Sequence, residues 1–287
     1  MRRAGDDTAI RGAGRRESRR PVPPGGPACT PALVTTSPSP NPWIAYRAPR
    51  PNARVRLLCF PYAGGAASLY RGWADGMPSE IEVLPVQPPG RESRLREPSL
   101  RDMGSLADAL EHGLAAELDR GPYALFGHSL GALSAYELAR RRRDAGRPEP
   151  VHLLVSAHSA PQLPWEDEPL HDMPSDRFRE RLRELQGTPA EVLDHPELME
   201  LVEPMLRADF QLNETYRHRP GPPLTCPITA FGGVGDEDVP RRKLEPWAEL
   251  TRGPFRLETI AGGHFFLHTP GPRAELLRQI AEILHRA

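Results

Sequence analysis

Ser129 stands between two glycines in Gly127-His128-Ser129-Leu130-Gly131, directly after the apolar run Tyr123-Ala124-Leu125-Phe126 and directly before a helix-like stretch. Between a strand and a helix, Gly-x-Ser-x-Gly reads as a nucleophile elbow, a turn so tight that only glycines fit around the serine. A serine hydroxyl is a weak nucleophile at neutral pH. It needs a histidine to take its proton and a carboxylate to orient that histidine. Two later loops offer these groups: Gly232-Gly233-Val234-Gly235-Asp236-Glu237-Asp238-Val239-Pro240 and Ala261-Gly262-Gly263-His264-Phe265-Phe266. Each follows a strand-like run, where ligand chemistry collects in parallel sheets. Of ten histidines, His264 sits on the Gly-Gly loop directly after the last expected strand and ahead of the final helix, so it is the candidate base. Asp236 and Asp238 compete for the acid, and Asp236, nearer the strand end, is preferred. His128 is expected to support the turn, and His158, His171, His195 and His218 to lie at the surface.

Acyl chemistry also needs two backbone N–H groups aimed at the negative charge that develops on the carbonyl oxygen. Leu130, at the start of the helix after the serine, offers one, aided by the helix dipole. The second is expected from the small-residue loop Phe60-Pro61-Tyr62-Ala63-Gly64-Gly65-Ala66. Ala63 is the candidate donor, with Gly64 as the alternative.

These loops need a frame. Val55–Phe60, Ile81–Val86, Tyr123–Phe126, Val151–Val155, Ile228–Phe231 and Phe255–Ile260 are short, apolar and strand-like. Leu106, Leu110, Leu114 and Leu118 recur on one helical face, Leu130–Arg143 reads as a helix closed by Gly146, and Leu276, Leu277, Ile280, Ile283 and Leu284 form a last helical face. Strands separated by helices imply an α/β fold with a parallel sheet. From about 160 to 223 the alternation stops. Two charged helical stretches, Ser175–Leu185 and Pro189–Tyr216, run on without a strand, as a lid over a pocket would.

Residues 1–40 differ: an arginine-rich stretch is followed by Pro, Gly, Ser and Thr without periodicity. A disordered tail is expected there, with the folded domain over 41–287. Of 287 residues, 37 are basic and 38 acidic, leaving a net charge of −1, which gives no electrostatic case for nucleic acid or an anionic membrane. Cys29, Cys59 and Cys226 are scattered, without metal-ligand spacing, which suits free thiols in the cytoplasm. No apolar run approaches the roughly 18 residues that span a bilayer. The expected protein is a cytoplasmic monomer without cofactor or metal.

Beyond the elbow, Leu58 to Ser68 (LCFPYAGGAAS), Gln87-Pro88-Pro89-Gly90-Arg91-Glu92, Arg207-Ala208-Asp209-Phe210, Phe231-Gly232-Gly233 and Gly262-Gly263-His264-Phe265-Phe266-Leu267 resemble the free-standing type II thioesterases of polyketide synthase and non-ribosomal peptide synthetase systems. The resemblance runs from about Trp43 to Leu284. It implies an α/β-hydrolase fold with a helical lid, a triad of Ser129, Asp236 and His264, and oxyanion donors at Ala63 and Leu130. The family's Gly-Gly-x-x-Asp-x-x-Val pattern, Gly232 to Val239 here, supports Asp236 over Asp238. It further implies a substrate, an acyl thioester on the phosphopantetheine arm of an acyl or peptidyl carrier protein, and an editing role in antibiotic biosynthesis. Two departures stand out: Leu130 where Met is frequent, and Tyr62 where a histidine is common. On the residues alone, a carboxylesterase or lipase, an acyltransferase and a catalytically silent carrier-binding module remain open.

Overall fold

A computed structural model describes residues 41–286; the expected tail over 1–40 lies outside the described residues. The elements follow in order: β1 (Val55–Phe60), β2 (Ile81–Pro85), α1 (Met103–Leu118), β3 (Tyr123–His128), α2 (Leu130–Asp144), β4 (His152–Ser156), α3 (Ser175–Leu185), α4 (Ala190–Leu193), α5 (Pro196–Glu214), β5 (Ile228–Gly233), α6 (Arg241–Leu244), β6 (Phe255–Ile260) and α7 (Pro270–His285). The strands form one sheet in the order β2-β1-β3-β4-β5-β6, and every neighbouring pair is parallel. The α/β expectation therefore holds, with strand positions close to those read from the apolar runs.

Alternation along each strand sorts its side chains to two faces. Leu58, Phe60, Leu125, Leu153, Val155 and Ile228 pack with Leu110 and Leu114 of α1 and Leu133 of α2. Leu57, Cys59, Val83, Phe126, Leu154 and Phe231 pack with Trp73 and with Leu276 and Ile280 of α7. A sheet covered on both faces accounts for β1 to β4 being buried at every position rather than at every second one. Cys59 and Cys226 are buried free thiols.

The sheet order also fixes where chemistry can collect. β1 lies between β2 and β3, so the chain first builds toward one edge and then turns back toward the other. In such sheets the crevice at the carboxyl ends of the two strands flanking the reversal is the natural binding place. The loops leaving β1 and β3 are those carrying Ala63 and Ser129.

Helices α3, α4 and α5 are inserted between β4 and β5 and have an apolar cluster of their own, including Phe178, Leu182, Leu193, Met199 and Leu206. The second helical stretch expected there, Pro189–Tyr216, is two helices instead. Pro196 is the first residue of α5, and His195 before it is extended at φ −104°, ψ 107°. Proline has no N–H to continue a preceding helix and pushes its predecessor out of the helical region. Among the described residues no helix is long and apolar enough to cross a membrane.

Candidate active site

Ser129 is the hinge of the turn from β3 into α2. Its φ of 51° and ψ of −123° lie where side chains other than glycine are strained, at a cost on the order of 1–3 kcal/mol. The turn is held by Ser129 N–H donating to Ser156 O (2.8 Å) and Ala132 N–H donating to Ser129 O (2.8 Å). Both flanking glycines are obligatory. A Cβ on Gly127 would lie 2.0 Å from the Gly131 carbonyl oxygen, and one on Gly131 would lie 2.1 Å from that of Phe60. The five-residue pattern is thus a consequence of α2 pressing on β3 and β1.

Asp236 and His264 arrive from neighbouring strands for a similar reason. A Cβ on Gly233 would lie 2.5 Å from the Gly263 carbonyl oxygen. Val234 N–H donates to Ile260 O and Gly235 N–H to Gly262 O, so the loops after β5 and β6 join backbone to backbone. Across that seam His264 Nδ1 lies 2.9 Å from Asp236 Oδ2. The other oxygen, Oδ1, accepts from the N–H groups of Asp238 (3.1 Å) and Val239 (3.0 Å). Burial pushes the Asp236 carboxyl up, but the His264 hydrogen bond and charge and the two backbone donors outweigh it, so its pKa falls below the ordinary value. An ionised acceptor at Oδ2 puts the imidazole proton on Nδ1 and leaves Nε2 as the basic nitrogen.

Asp238 is exposed and uses its N–H to support Asp236. Asp236, Asp238 and His264 could together offer a cation three ligand atoms within 4.8 Å of one another. Both oxygens of Asp236 are already engaged by hydrogen-bond donors, which suits an orienting carboxylate better than a metal ligand.

Ser129 and His264 line the same cavity, of about 940 Å³, roofed by the insertion through Leu182, Leu185, Leu206 and Phe210. Among the described residues no hydrogen bond joins Ser129 Oγ to the imidazole; such bonds commonly tighten only with substrate. Ala63 lines the cavity beside Ser129. Gly64 N–H, the alternative oxyanion donor, instead donates to Asp209 Oδ2 at 2.7 Å. The N–H groups of Ala63 and Leu130 have no acceptor among the described residues.

His128 is wholly buried, with Nδ1 2.9 Å from Ser156 Oγ. Burial, then the nearby His264 charge, holds its pKa well below the usual histidine range, so it is a neutral brace under the elbow. The surface placement expected for four histidines holds only for His195. His158, His171 and His218 are half-buried, because each finds a polar partner under the insertion: Asn213 Oδ1 for His158, Glu214 for His171 and Tyr136 Oη for His218.

Three contacts at the site had no role assigned from sequence. Tyr62 Oη lies 2.9 Å from His268 Nε2. His158 faces the cavity with Asn213. Arg91 forms a two-pronged pair with Asp209, Nη1 to Oδ2 at 2.6 Å and Nη2 to Oδ1 at 2.8 Å. One signal was available: Asp209 shares the buried face of α5 with Leu206 and Leu212, and a carboxylate on an apolar face needs a buried partner.

The Thioesterase domain family model matches residues 55–286. The chain belongs to the thioesterase family. It is 40% identical over 228 residues to the gramicidin S biosynthesis protein GrsT of Aneurinibacillus migulanus, spanning 79% of this chain and 89% of that protein. Among solved structures it resembles RedJ, a thioesterase from the prodiginine biosynthetic pathway in Streptomyces coelicolor, at 41% identity and a TM-score of 0.73, covering 82% of this chain and 92% of RedJ. It resembles the type II thioesterase BorB from the borrelidin biosynthetic cluster at 42% identity and a TM-score of 0.75, covering 84% and 96%. The chain is thus a hydrolase of the type II thioesterase kind, and the inserted helices between β4 and β5 belong to its fold.

Proposed function

We propose that this thioesterase hydrolyses acyl thioesters carried on the phosphopantetheine arm of acyl or peptidyl carrier proteins in the cytoplasm, and that it clears stalled or wrongly loaded acyl groups from a synthase. The observation that carries the reading is the His264 Nδ1–Asp236 Oδ2 hydrogen bond of 2.9 Å at the wall of the cavity that also holds Ser129. Family membership supplies the thioester.

In this mechanism Nε2 of His264 takes the Ser129 proton as Oγ attacks the thioester carbonyl. Asp236 stabilises the imidazolium and keeps its proton on Nδ1. The N–H groups of Ala63 and Leu130 receive the oxyanion. The C–S bond breaks, the proton on His264 Nε2 passes to the departing sulfur, the pantetheine thiol leaves, and an acyl-Ser129 ester remains. A water deprotonated by His264 attacks that ester, and the acid and free Ser129 are released. A thiol is a better leaving group than an alcohol, so acylation asks little of His264 as an acid. The insertion (about 160–223) acts as the lid, with the apolar side chains of α3 and α5 receiving the acyl chain. A cavity of about 940 Å³ is at the upper end of the range for small-molecule sites and suits a long acyl group.

Hydrolysis rates on an acyl-loaded carrier protein and on the matching oxygen ester test the proposal. A preference for the carrier-bound thioester of at least about tenfold in kcat/KM is expected. An equal or reversed preference would make the chain a general esterase.

A further inference from the structure

We infer that Asp209, held by Arg91, is a positioning residue for the reaction: its carboxylate captures the Gly64 N–H and thereby presents the Ala63 N–H to the developing oxyanion. The inference rests on the serine mechanism proposed above.

The loop after β1 has three consecutive N–H groups near the cavity. Gly65 N–H closes a turn onto Tyr62 O (2.9 Å) and Gly64 N–H donates to Asp209 (2.7 Å). Ala63 N–H alone of the three has no acceptor among the described residues. The carboxylate that makes this selection is itself immobilised. Asp209 is 2% exposed and Arg91 6%, and they form the two-pronged pair described above. Arg91 Nη1 also donates to Gly65 O (3.0 Å) and its Nε to Pro89 O (3.3 Å). One guanidinium thus holds both the carboxylate and the loop that the carboxylate grips.

Packing reinforces the polar contacts. Gly64 has φ +80°, and a Cβ there would lie 2.5 Å from Leu206 Cδ2. Leu206 and Asp209 are one turn apart on α5, so this helix presses on the oxyanion loop with one residue and hydrogen-bonds it with the next. α5 is therefore a fixed support of the site as well as part of its roof.

Without the carboxylate, Gly64 N–H has no partner, Arg91 becomes a buried unpaired charge, and the peptides on either side of Ala63 can turn. The oxyanion develops in the transition state and the tetrahedral intermediate and is absent from the bound substrate, so the loss belongs in kcat and not in substrate binding. Removing one oxyanion donor costs about 10²–10³-fold in kcat; misaiming one through Asp209→Ala is expected to cost about 10- to 100-fold. Asp209→Asn keeps an oxygen for Gly64 but turns an NH2 group toward Arg91 and leaves the Arg91 charge unneutralised, so it should recover only part of that loss.

The test uses the full chain with hexanoyl-pantetheine as substrate, its amide isostere as a ground-state probe and hexylboronic acid as a tetrahedral probe on Ser129. In Asp209→Ala, kcat and boronate affinity should fall together while KM and amide affinity stay within about threefold. An unchanged kcat, a loss confined to KM, or an unaltered boronate affinity would overturn the inference, as would an Asn variant no better than Ala. Wild-type hydrogen exchange provides a readout independent of variant folding: the Gly64 amide should exchange more slowly than that of Ala63, and the reverse order contradicts the inference. Failure of wild-type Ser129 to form any acyl or boronate adduct would instead overturn the serine mechanism itself.

Discussion

Tyr62 Oη and His268 Nε2, 206 residues apart in the chain, lie 2.9 Å from each other and join the loop after β1 to the turn that follows His264. Tyr62 is the neighbour of Ala63, so the candidate oxyanion donor and the candidate base are held on one rigid seam. Burial raises the Tyr62 phenol pKa to about 12 and lowers that of His268, which keeps both groups neutral near pH 7. Tyr62→Phe should cost about 1 kcal/mol of stability and lower kcat by about 2- to 10-fold through misalignment. Denaturant melts and steady-state rates on the same preparation would check both.

Asp236 and Asp238 differ sharply in what they touch. Asp236 is buried with three donors on its two oxygens, while Asp238 is exposed. Asp236→Asn should lower kcat by about 10³- to 10⁴-fold, as expected when an orienting carboxylate is lost. Asp238→Asn should stay within about threefold of wild type. Side-by-side kcat values decide, and a larger loss from Asp238→Asn would reassign the acid.

Buried neutral histidines predict an acid-labile fold. His152, with Nε2 2.9 Å from Thr229 Oγ1, has its pKa lowered to about 4 from 6.5, first by burial and then by the Arg256 charge. The unfolded chain thus binds a proton that the folded chain refuses as pH falls from 6.5 to about 4. Stability is full above that window and is lost within it, by about 2–3 kcal/mol for this residue. Asp236, whose folded pKa is depressed, adds a further loss only as pH falls below the ordinary carboxylate value. Urea midpoints from pH 7 to 4 should decline, with a shallower slope in His152→Gln. A flat profile would contradict the assignment.

The elbow leaves no room for side chains at its glycines. Gly131→Ala places a methyl carbon 2.1 Å from the Phe60 carbonyl oxygen, against backbone that cannot move cheaply. A loss of about 3 kcal/mol or more is expected, read as soluble yield and urea midpoint. A variant as stable as wild type would mean that α2 does not press on β1 in this way.

Much of the fold was legible because a parallel sheet covered on both faces writes short apolar runs into the chain, as in Val55–Phe60 and Tyr123–Phe126. Gly127, Gly131 and Gly233 were legible for a related reason, since each marks a backbone approach that a Cβ would block. What could not be read was pairing at a distance. Nothing near Tyr62 announces His268, and the Arg91–Asp209 pair joins a loop to a helix 118 residues away. The break at Pro196 was written in the sequence, but the periodic apolar residues on both sides of it suggest a single helix.

The central claim is that Ser129 carries the acyl group during thioester hydrolysis. Intact-protein mass spectrometry within the first turnover, after mixing with an acyl-loaded carrier protein, tests it most directly. The account predicts a transient adduct of one acyl mass on the wild-type protein, mapped to the peptide containing Ser129, and neither adduct nor turnover in Ser129→Ala. Undiminished hydrolysis by Ser129→Ala, or an adduct mapped to any other residue, would contradict it.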